Sequence, residues 1–486
     1  MFLGLDLGTS GLKLLLLDTQ HQVQGSVELP LSVQRPHPNW SEQAPQDWWQ
    51  ALENAVAQLR AQAPQAWGQV RAIGLSGQMH GAVVLDAQAR VLRPAILWND
   101  GRADLECAEL ERLVPTSRQT TGNLAMPGFT APKLLWLRTH EPALFAQISQ
   151  VLLPKDWLRL QLTGEAVSEM SDASGTLWLD VGQRCWSEAM LAACGLSTAH
   201  MPRLVEGSAC SGTLLPALAD AWGLPRGVVV AGGGGDNAAS AVGIGAVSAG
   251  QGFVSLGTSG VVFLTSDTYR PAPEQAVHAF AHALPGRWHQ MSVMLSAASA
   301  FGWVTQLTGS ADEATLSHQV STLSLAQRAQ APLFLPYLSG ERTPHNNPNA
   351  SGVFIGLRAA HGPADLGYAV MEGVTFGLMD GLRAMEQSGP SRTPLALVGG
   401  GARSDTWAQL LASGLNCPLH LPEGAHAAAA LGAARLAWLA TGGTPEAVCL
   451  PLPLAQSFEP DPAVSQLSAE RYPRYRALYP ALKALF

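Results

Sequence analysis

Residues 5–18, LDLGTSGLKLLLLD, constrain the fold more than any other stretch, because their central motif returns later in the chain. The segment reads as a strand, a tight turn through Gly8, Thr9, Ser10 and Gly11, and a second strand. Glycines at both ends of such a turn permit positive φ and a close approach to a ligand. Successive backbone N–H groups in the turn make a concavity suited to phosphate, to which the two hydroxyls add. Asp6, just before the turn, stands where a carboxylate can hold a hydrated divalent cation beside those phosphates. Taken singly, the stretch is equally an ordinary hairpin. Residues 255–267, SLGTSGVVFLTSD, repeat it with Gly257, Thr258, Ser259 and Gly260. Two such hairpins half a chain apart predict a duplicated architecture with a nucleotide between the halves.

The copies differ at two positions that matter chemically. Ser255 replaces Asp6 and Val262 replaces Lys13, so only the first copy offers a carboxylate and a cation. Lys13 could reach a γ-phosphate or be a solvated strand residue; the Leu12, Lys13, Leu14 alternation allows both. A chain of 486 residues exceeds a single core and predicts two domains. With 47% hydrophobic and 14% charged residues it reads as layered α/β. The net charge of −8 and the lack of a Lys/Arg-rich run point to a small metabolite as partner and away from nucleic acid. The six cysteines show no CxxC or CxxH spacing, which speaks against zinc and redox motifs and for reduced thiols. Neither a leader-type N-terminus nor an apolar run long enough for a bilayer is present, so the expectation is a cytoplasmic protein with no membrane partner.

Several strand-to-loop junctions carry further chemistry. Residues 20–34 read as a strand, and a helix begins near Gln46 with Trp49, Leu52, Ala55, Val56 and Leu59 at helical spacing, Trp48 and Trp49 being core anchors. A strand over 71–75 runs into SGQMHG, where His80 either donates to a substrate hydroxyl or lies on the surface. A second strand ends in Trp98, Asn99, Asp100 and Arg102, a mixture suited to hydrogen-bonding a polyol, with Asp100 also placed to cap the helix running to Leu113. Helices are expected over 128–140 and 151–162, and a polar turn and strand over 170–180. In VVVAGGGGDNAASAVGIG, 228–245, a buried strand meets four glycines and then Asp236 and Asn237 at a helix start. Capping alone would account for Asp236, but the glycines make most sense where backbone passes close to a substrate, which favours a functional carboxylate. Residues 395–405 give strand, glycine triplet and helix, without the GxGxxG or GxxxxGK[ST] spacing of dinucleotide sites and P-loops. The loop over 333–349, with Glu341, Arg342 and His345, could bind substrate or pack between domains. The Ala-rich helix over 425–439 is expected on the second domain, and the tail carrying Arg471, Tyr472, Arg474, Tyr475 and Arg476 is expected to be solvated.

Together these motifs (DLGTSGLK, SGQMHG, ILWNDGR, GFTAPKLLWLRTH, GGGGDNAA, SLGTSG, LPYLSGERTPHNNP and GGGARSD) make the chain resemble, nearly end to end, the FGGY carbohydrate kinases, most closely the bacterial members that phosphorylate xylulose. The resemblance implies an α/β fold of two ribonuclease-H-like domains, of the actin-like ATPase superfamily, facing a central cleft. Their expected limits are 1–245, on the sugar, phosphate and metal side, and 246–486, on the ATP side. It implies ATP-dependent phosphorylation of D-xylulose to D-xylulose 5-phosphate with Mg²⁺, ribulose or another ketopentose or polyol being the rival substrate. By the same likeness Asp236 matches the catalytic base and Asp6 a carboxylate needed for activity and metal. Met79, His80 and Asn237 match sugar contacts, joined by the candidates Asn99, Asp100 and Arg102. Gly257 and Thr258 match phosphate contacts, beside Gly8, Thr9, Ser10 and Lys13. Gly400, Gly401 and Ala402 match the adenosine site, with Trp303 on a helix near adenine. Asp405 stands where relatives often carry Asn, and a carboxylate cannot donate to the base as an amide does. Relatives often dimerise, so a homodimer belongs to the expectation. An actin-like or chaperone-type ATPase would share the hairpins but need a filament surface or a peptide-binding domain, and Asp6 with Asp236 argues against a sugar-sensing regulator.

Overall fold

The computed structural model of the protein describes residues 1–386 and 394–486. Two mixed sheets of seven strands form its halves. In the first, the order is Cys210–Thr213, Val229–Ala231, Ala72–Gly77, Phe2–Leu7, Gly11–Leu17, Val23–Pro30, and the short pair Gly234–Gly235 extends the line beside Ala72–Gly77. In the second, the order is His278–Ala281, Trp288–Met294, Gly260–Ser266, Gly252–Leu256, Leu395–Val398, Leu419–Pro422, Leu454–Phe458. The first strand of each hairpin sits mid-sheet, antiparallel to its hairpin mate and parallel to a strand from much later in its half. The repeated motif therefore is a repeated architecture.

Alternation along the first strand explains its two faces. Leu3, Leu5 and Leu7 join Leu12, Leu14 and Leu16 in one core, against Trp48, Leu52, Val56 and Leu59 of the helix Pro45–Gln62. That helix starts on a proline, whose missing N–H is not needed there, and buries one stripe at three- and four-residue steps. Phe2 points the opposite way, toward Ala430, Ala434 and Ala437. These alanines belong to the helix Ala428–Leu439, which packs on the first sheet and on the helix Asp236–Ile244, not on the second domain as its place in the sequence suggests.

Glycines make this seat. A Cβ on Gly4 would lie 1.9 Å from the Ala430 carbonyl oxygen, on Gly74 1.8 Å from that of Ala433, on Gly243 2.0 Å from that of Ala428, and on Gly432 1.8 Å from that of Ala239. Backbone meets backbone at all four positions.

Other expectations are corrected by the fold. Residues 151–162 divide into the strand Gln150–Leu152 and the helix Pro154–Thr163, because proline suits the first position of a helix and Pro154 starts a new element there. Met170–Ser174 is a helical turn, and its strand is confined to Leu179–Asp180. Asp100 caps nothing: the following helix is Asp104–Leu113, with no side-chain cap. The C-terminal helix Pro462–Leu482 is not solvated along its length, since Tyr475 is buried and Arg471 donates twice, at 2.7 Å each, to the buried Glu372. Neither hairpin turn uses positive φ at its glycines. Among the described residues no helix is long and apolar enough to cross a membrane.

The seat sets a stability test. Gly74→Ala should destabilise the protein by about 3 kcal/mol or more, the upper end of overpacking costs, because the contacted atom is backbone and cannot rotate away. Gly68→Ala, whose Cβ would come no closer than 3.9 Å to a neighbour, should leave the denaturation midpoint nearly unchanged.

Candidate active site

Asp6 and Lys13 face each other across the first hairpin, and Ser76 lies beside Asp6 on the adjacent parallel strand. Oδ1 of Asp6 is buried without a hydrogen bond among the described residues. Burial, and then the negative charge of Asp236, raise its pKa to about 6, while Ser76 and Lys13 pull it down. Lys13 itself is committed elsewhere: Nζ lies 3.0 Å from Glu28 Oε2 and donates to the His426 carbonyl at 3.2 Å. Its expected place toward a γ-phosphate is thus taken up by a tie to the Ala425–Ala427 turn. An orphaned, partly uncompensated carboxylate oxygen suits a hydrated divalent cation. No group of three or more His, Cys, Asp or Glu side chains able to hold a metal exists among the described residues, so such a cation would need phosphate oxygens and water to complete its shell.

The turn is fixed from outside. Thr9 Oγ1 donates to Gln78 Oε1 at 3.0 Å and accepts from Trp98 Nε1 at 2.9 Å, while Gln43 Nε2 holds the Thr9 carbonyl at 2.8 Å. The N–H groups of Thr9 and Ser10 then carry no hydrogen bond among the described residues, and neither do those of Thr258 and Ser259 in the second turn. Gly257 is different: its N–H bonds back to Ser259 O at 3.1 Å, and a Cβ there would make only an ordinary contact, 3.5 Å from that oxygen.

Asp236 opens the helix Asp236–Ile244, whose N-terminus favours its anion. Asn237 donates to Asp236 Oδ1 twice, from its backbone at 2.7 Å and its side-chain amide at 2.9 Å, so Oδ2 is the oxygen left for other partners. Burial raises this carboxyl above the ordinary range and the Asn237 bonds only partly offset it. The four preceding glycines are explained by protein, not by space for a substrate. A Cβ on Gly232 would lie 2.3 Å from Glu206 O; Gly233, at φ 80°, would meet Leu75 O at 2.1 Å, and Gly235 the Met79 sulfur at 2.8 Å. Met79 accordingly fills the wall behind Gly235 and is buried.

His80 holds positive φ at 69° in its loop, which turns the ring inward against Phe129. Its Nδ1 lies 2.6 Å from the Gly175 carbonyl, an acceptor only, so Nδ1 carries the proton. Burial lowers the pKa to about 3, keeping the ring neutral. Nε2 is therefore an acceptor, and His80 can receive a hydrogen bond from a hydroxyl but not donate one, the reverse of the sequence-based expectation.

The WNDGR segment divides. Asp100 and Arg102 are tied to each other and to the frame: Arg102 donates to both Asp100 oxygens at 2.8 and 2.6 Å and to Glu42 at 2.7 Å, its guanidinium lying 3.5 Å over Trp40, with only Nη1 left without a partner among the described residues. Asp100 also takes the Ser41 N–H at 2.6 Å. Both side chains are buried, so neither is presented to a sugar. Asn99 keeps a buried, unpartnered Oδ1, and Trp98 is exposed.

In the second half, Gly400, Gly401 and Asp405 line a cavity of about 570 Å³ with Ala298, Phe301, Glu313 and Ser317. The triplet forms a short 3₁₀ turn, Gly400–Arg403, and Ser404 caps the helix Asp405–Leu415. Ala402 turns into the core, and Trp303 stacks on Phe334 and Phe354 with centroids 5.8 and 6.3 Å away; neither lines the cavity. Sequence reasoning missed Glu313, Ser317 and Ser321. Their four-residue spacing puts them on one face of the helix Glu313–Ser321 and was the signal available.

The raised Asp6 pKa has a stability consequence with a definite sign. Between its ordinary value of 3.8 and about 6 the folded state binds more protons than the unfolded, so stability falls as pH rises through that window and stays lowered above it. Asp6→Asn should stabilise the ligand-free protein at pH 8 by up to about 3 kcal/mol, read as a higher thermal midpoint, and leave it unchanged at pH 3. Calorimetry at the two pH values checks this.

Comparison with known proteins agrees with the geometry. Residues 1–243 match the N-terminal domain, and residues 252–441 the C-terminal domain, of the FGGY family of carbohydrate kinases. The chain is 53% identical to the xylulose kinase of Escherichia coli K12, over 100% of this chain and 98% of that protein. It is also 53% identical to that of Klebsiella pneumoniae, over 95% of each. The crystal structure of a xyloylose kinase from Brucella ovis superposes with a TM-score of 0.97 at 51% identity, covering 100% of both chains. A Plasmodium falciparum glycerol kinase with ADP, 18% identical at TM-score 0.89 over 98% of this chain and 97% of its own, shares the fold. With both domains matched in order and each half built on a seven-stranded sheet that carries one of the paired turns, the chain belongs to the FGGY family of carbohydrate kinases.

Proposed function

We propose that this chain is a xylulokinase, transferring the γ-phosphoryl group of ATP to the C5 hydroxyl of D-xylulose. The observation that carries the reading is the pairing of two raised carboxylates, Asp6 and Asp236, on elements that flank the same strand, Ala72–Gly77. The whole-length likeness to proteins named xylulose kinase sets the substrate. The two units divide at residues 245/246, where Gly245 ends the helix Asp236–Ile244 in the left-handed conformation before the second sheet begins at Gly252. The chain works in the cytoplasm.

In this mechanism Asp236 Oδ2 takes the proton of the C5 hydroxyl as its oxygen attacks the γ-phosphorus, and the bond from that phosphorus to the β,γ-bridging oxygen breaks to release ADP. Asn237 holds the base through Oδ1. His80 Nε2 accepts from another sugar hydroxyl, and the unpartnered Asn99 Oδ1 is a second acceptor. The backbone N–H groups of Thr9, Ser10, Thr258 and Ser259 hold phosphate oxygens, and the adenosine lies along Gly400 and Gly401. Asp405 accepts from the adenine amino group or a ribose hydroxyl, the only polarity a carboxylate offers. Asp6 would hold a Mg²⁺ ion, which would supply charge to neutralise the phosphate oxygens. Lys13 acts indirectly, by joining the first hairpin to the turn before the helix Ala428–Leu439.

Asp236→Asn should lower kcat by about 10²- to 10⁴-fold, the usual worth of a general base, while nucleotide binding by calorimetry stays close to the parent's. Retained turnover would defeat the assignment. Because both carboxylates must be ionised, kcat/KM should fall on acidification through about 6, the Asp6 value, and level off above it. An ADP-release assay over ketoses and polyols should show D-xylulose with the highest kcat/KM; a preference for ribulose would move the substrate within the same mechanism.

A further inference from the structure

Behind the glycine loop lies a wholly buried cluster of charges that the mechanism has not used. Lys155 Nζ sits 2.9 Å from Asp156 Oδ1, 2.9 Å from Asp172 Oδ2 and 3.3 Å from Glu169 Oε1, and Arg159 lies 2.6 Å from Asp156. All five side chains are at 0% exposure. Burial and the neighbouring carboxylates push Asp172 up to about 8. The same causes favour the neutral carboxyl of Asp172, while the Lys155 ammonium opposes them.

Two strings run from this cluster to the loop that precedes Asp236. Arg159 donates to the Gly232 carbonyl, and Ser171 Oγ accepts the Gly235 N–H at 3.0 Å. The Ser171 proton is directed to Glu169, at 2.9 and 2.8 Å from its two oxygens, so its lone pair is fixed toward Gly235. Glu169 also takes the backbone N–H groups of Ser171 and Asp172 at 2.7 and 2.9 Å. A run of glycines has no side chains with which to anchor itself and much freedom to lose, so its position must be set from outside. At the far end of the same helical turn, Met170–Ser174, the Gly175 carbonyl fixes the tautomer of His80.

We propose that Ser171, oriented by Glu169 and the Lys155 cluster, is a positioning residue for Asp236: it fixes the Gly235 peptide and with it the direction in which the base carboxylate leaves the helix terminus. The inference rests on Asp236 being the base, and the test separates the two. Ser171→Ala should lower kcat by about 10- to 100-fold, the cost of misplacing a base by about an ångström, with KM for ATP unchanged. Added to Asp236→Asn, the same substitution should cost no further activity, because there is no base carboxylate left to aim. Parental kcat in Ser171→Ala, or an equal fold-loss in both backgrounds, overturns the inference. If Ser171→Ala does not fold, Glu169→Gln, which keeps an acceptor but frees the Ser171 proton, is read by the same cycle with the same outcomes. A fully active Asp236→Asn would instead remove the base assignment itself, whatever Ser171 does.

Discussion

The contact of bare backbone on bare backbone beneath the first sheet governs where the chemistry stands. Gly4 and Gly74 are partners in the parallel pairing of Phe2–Leu7 with Ala72–Gly77, and two residues further along the same strands Asp6 is partnered with Ser76. Gly243 lies on the helix that begins with Asp236, and Gly432 lies on the helix that touches all three elements. Seating that helix without side chains draws the two strands and the Asp236 helix to one depth. Their ends then open on one side, beyond the carboxyl ends of two parallel strands, where open α/β sheets gather ligands. A single Cβ in the seat would separate elements that must hold two carboxylates near each other.

That proximity is costly, and the structure shows how the cost is confined. Asp6 is left with an unpartnered oxygen and a raised pKa, while the neighbouring Lys13 is turned to Glu28 and the His426 carbonyl. A lysine placed fully against Asp6 would lower its pKa and compete with a cation for it. Asp100, by contrast, is buried but saturated by Arg102 and the Ser41 N–H. Two buried carboxylates therefore differ in availability, one poised and one spent, because only one has a guanidinium packed beside it.

The same contrast marks what the sequence could disclose. The hairpins were legible because phosphate recognition by backbone leaves a text of glycines and hydroxyls, and the helix Pro45–Gln62 because its buried stripe follows the helical period from a starting proline. The WNDGR segment misled because residues suited to a polyol equally build an ion pair, and the deciding partner, Glu42, lies on a different strand. The helix Ala428–Leu439 carries small residues that would fit either sheet; its seat is cut by glycines near the other end of the chain. The glycine run ahead of Asp236 was read as room for a ligand, yet Leu75, Glu206 and Met79 fill that room. The Lys155 cluster had a faint signature, charges at Lys155, Asp156 and Arg159 within one turn of a helix otherwise apolar toward the core.

The twin turns, alike in sequence, are not alike in structure. Leu7 pairs with Leu12 across Gly8, Thr9, Ser10 and Gly11, whereas Leu256 pairs with Gly260 across only Gly257, Thr258 and Ser259. The first is clamped by Gln78, Gln43 and Trp98 of its own half. The second is tied to the start of the helix Ala298–Leu307, where Ala297 N–H and Ser299 Oγ reach the Thr258 carbonyl at 2.9 and 2.7 Å. Ala298 and Phe301 of that helix also wall the 570 Å³ cavity. The second turn and the cavity thus share the helix Ala298–Leu307, while the first turn is held by side chains of its own half, so the difference in register goes with a difference in support.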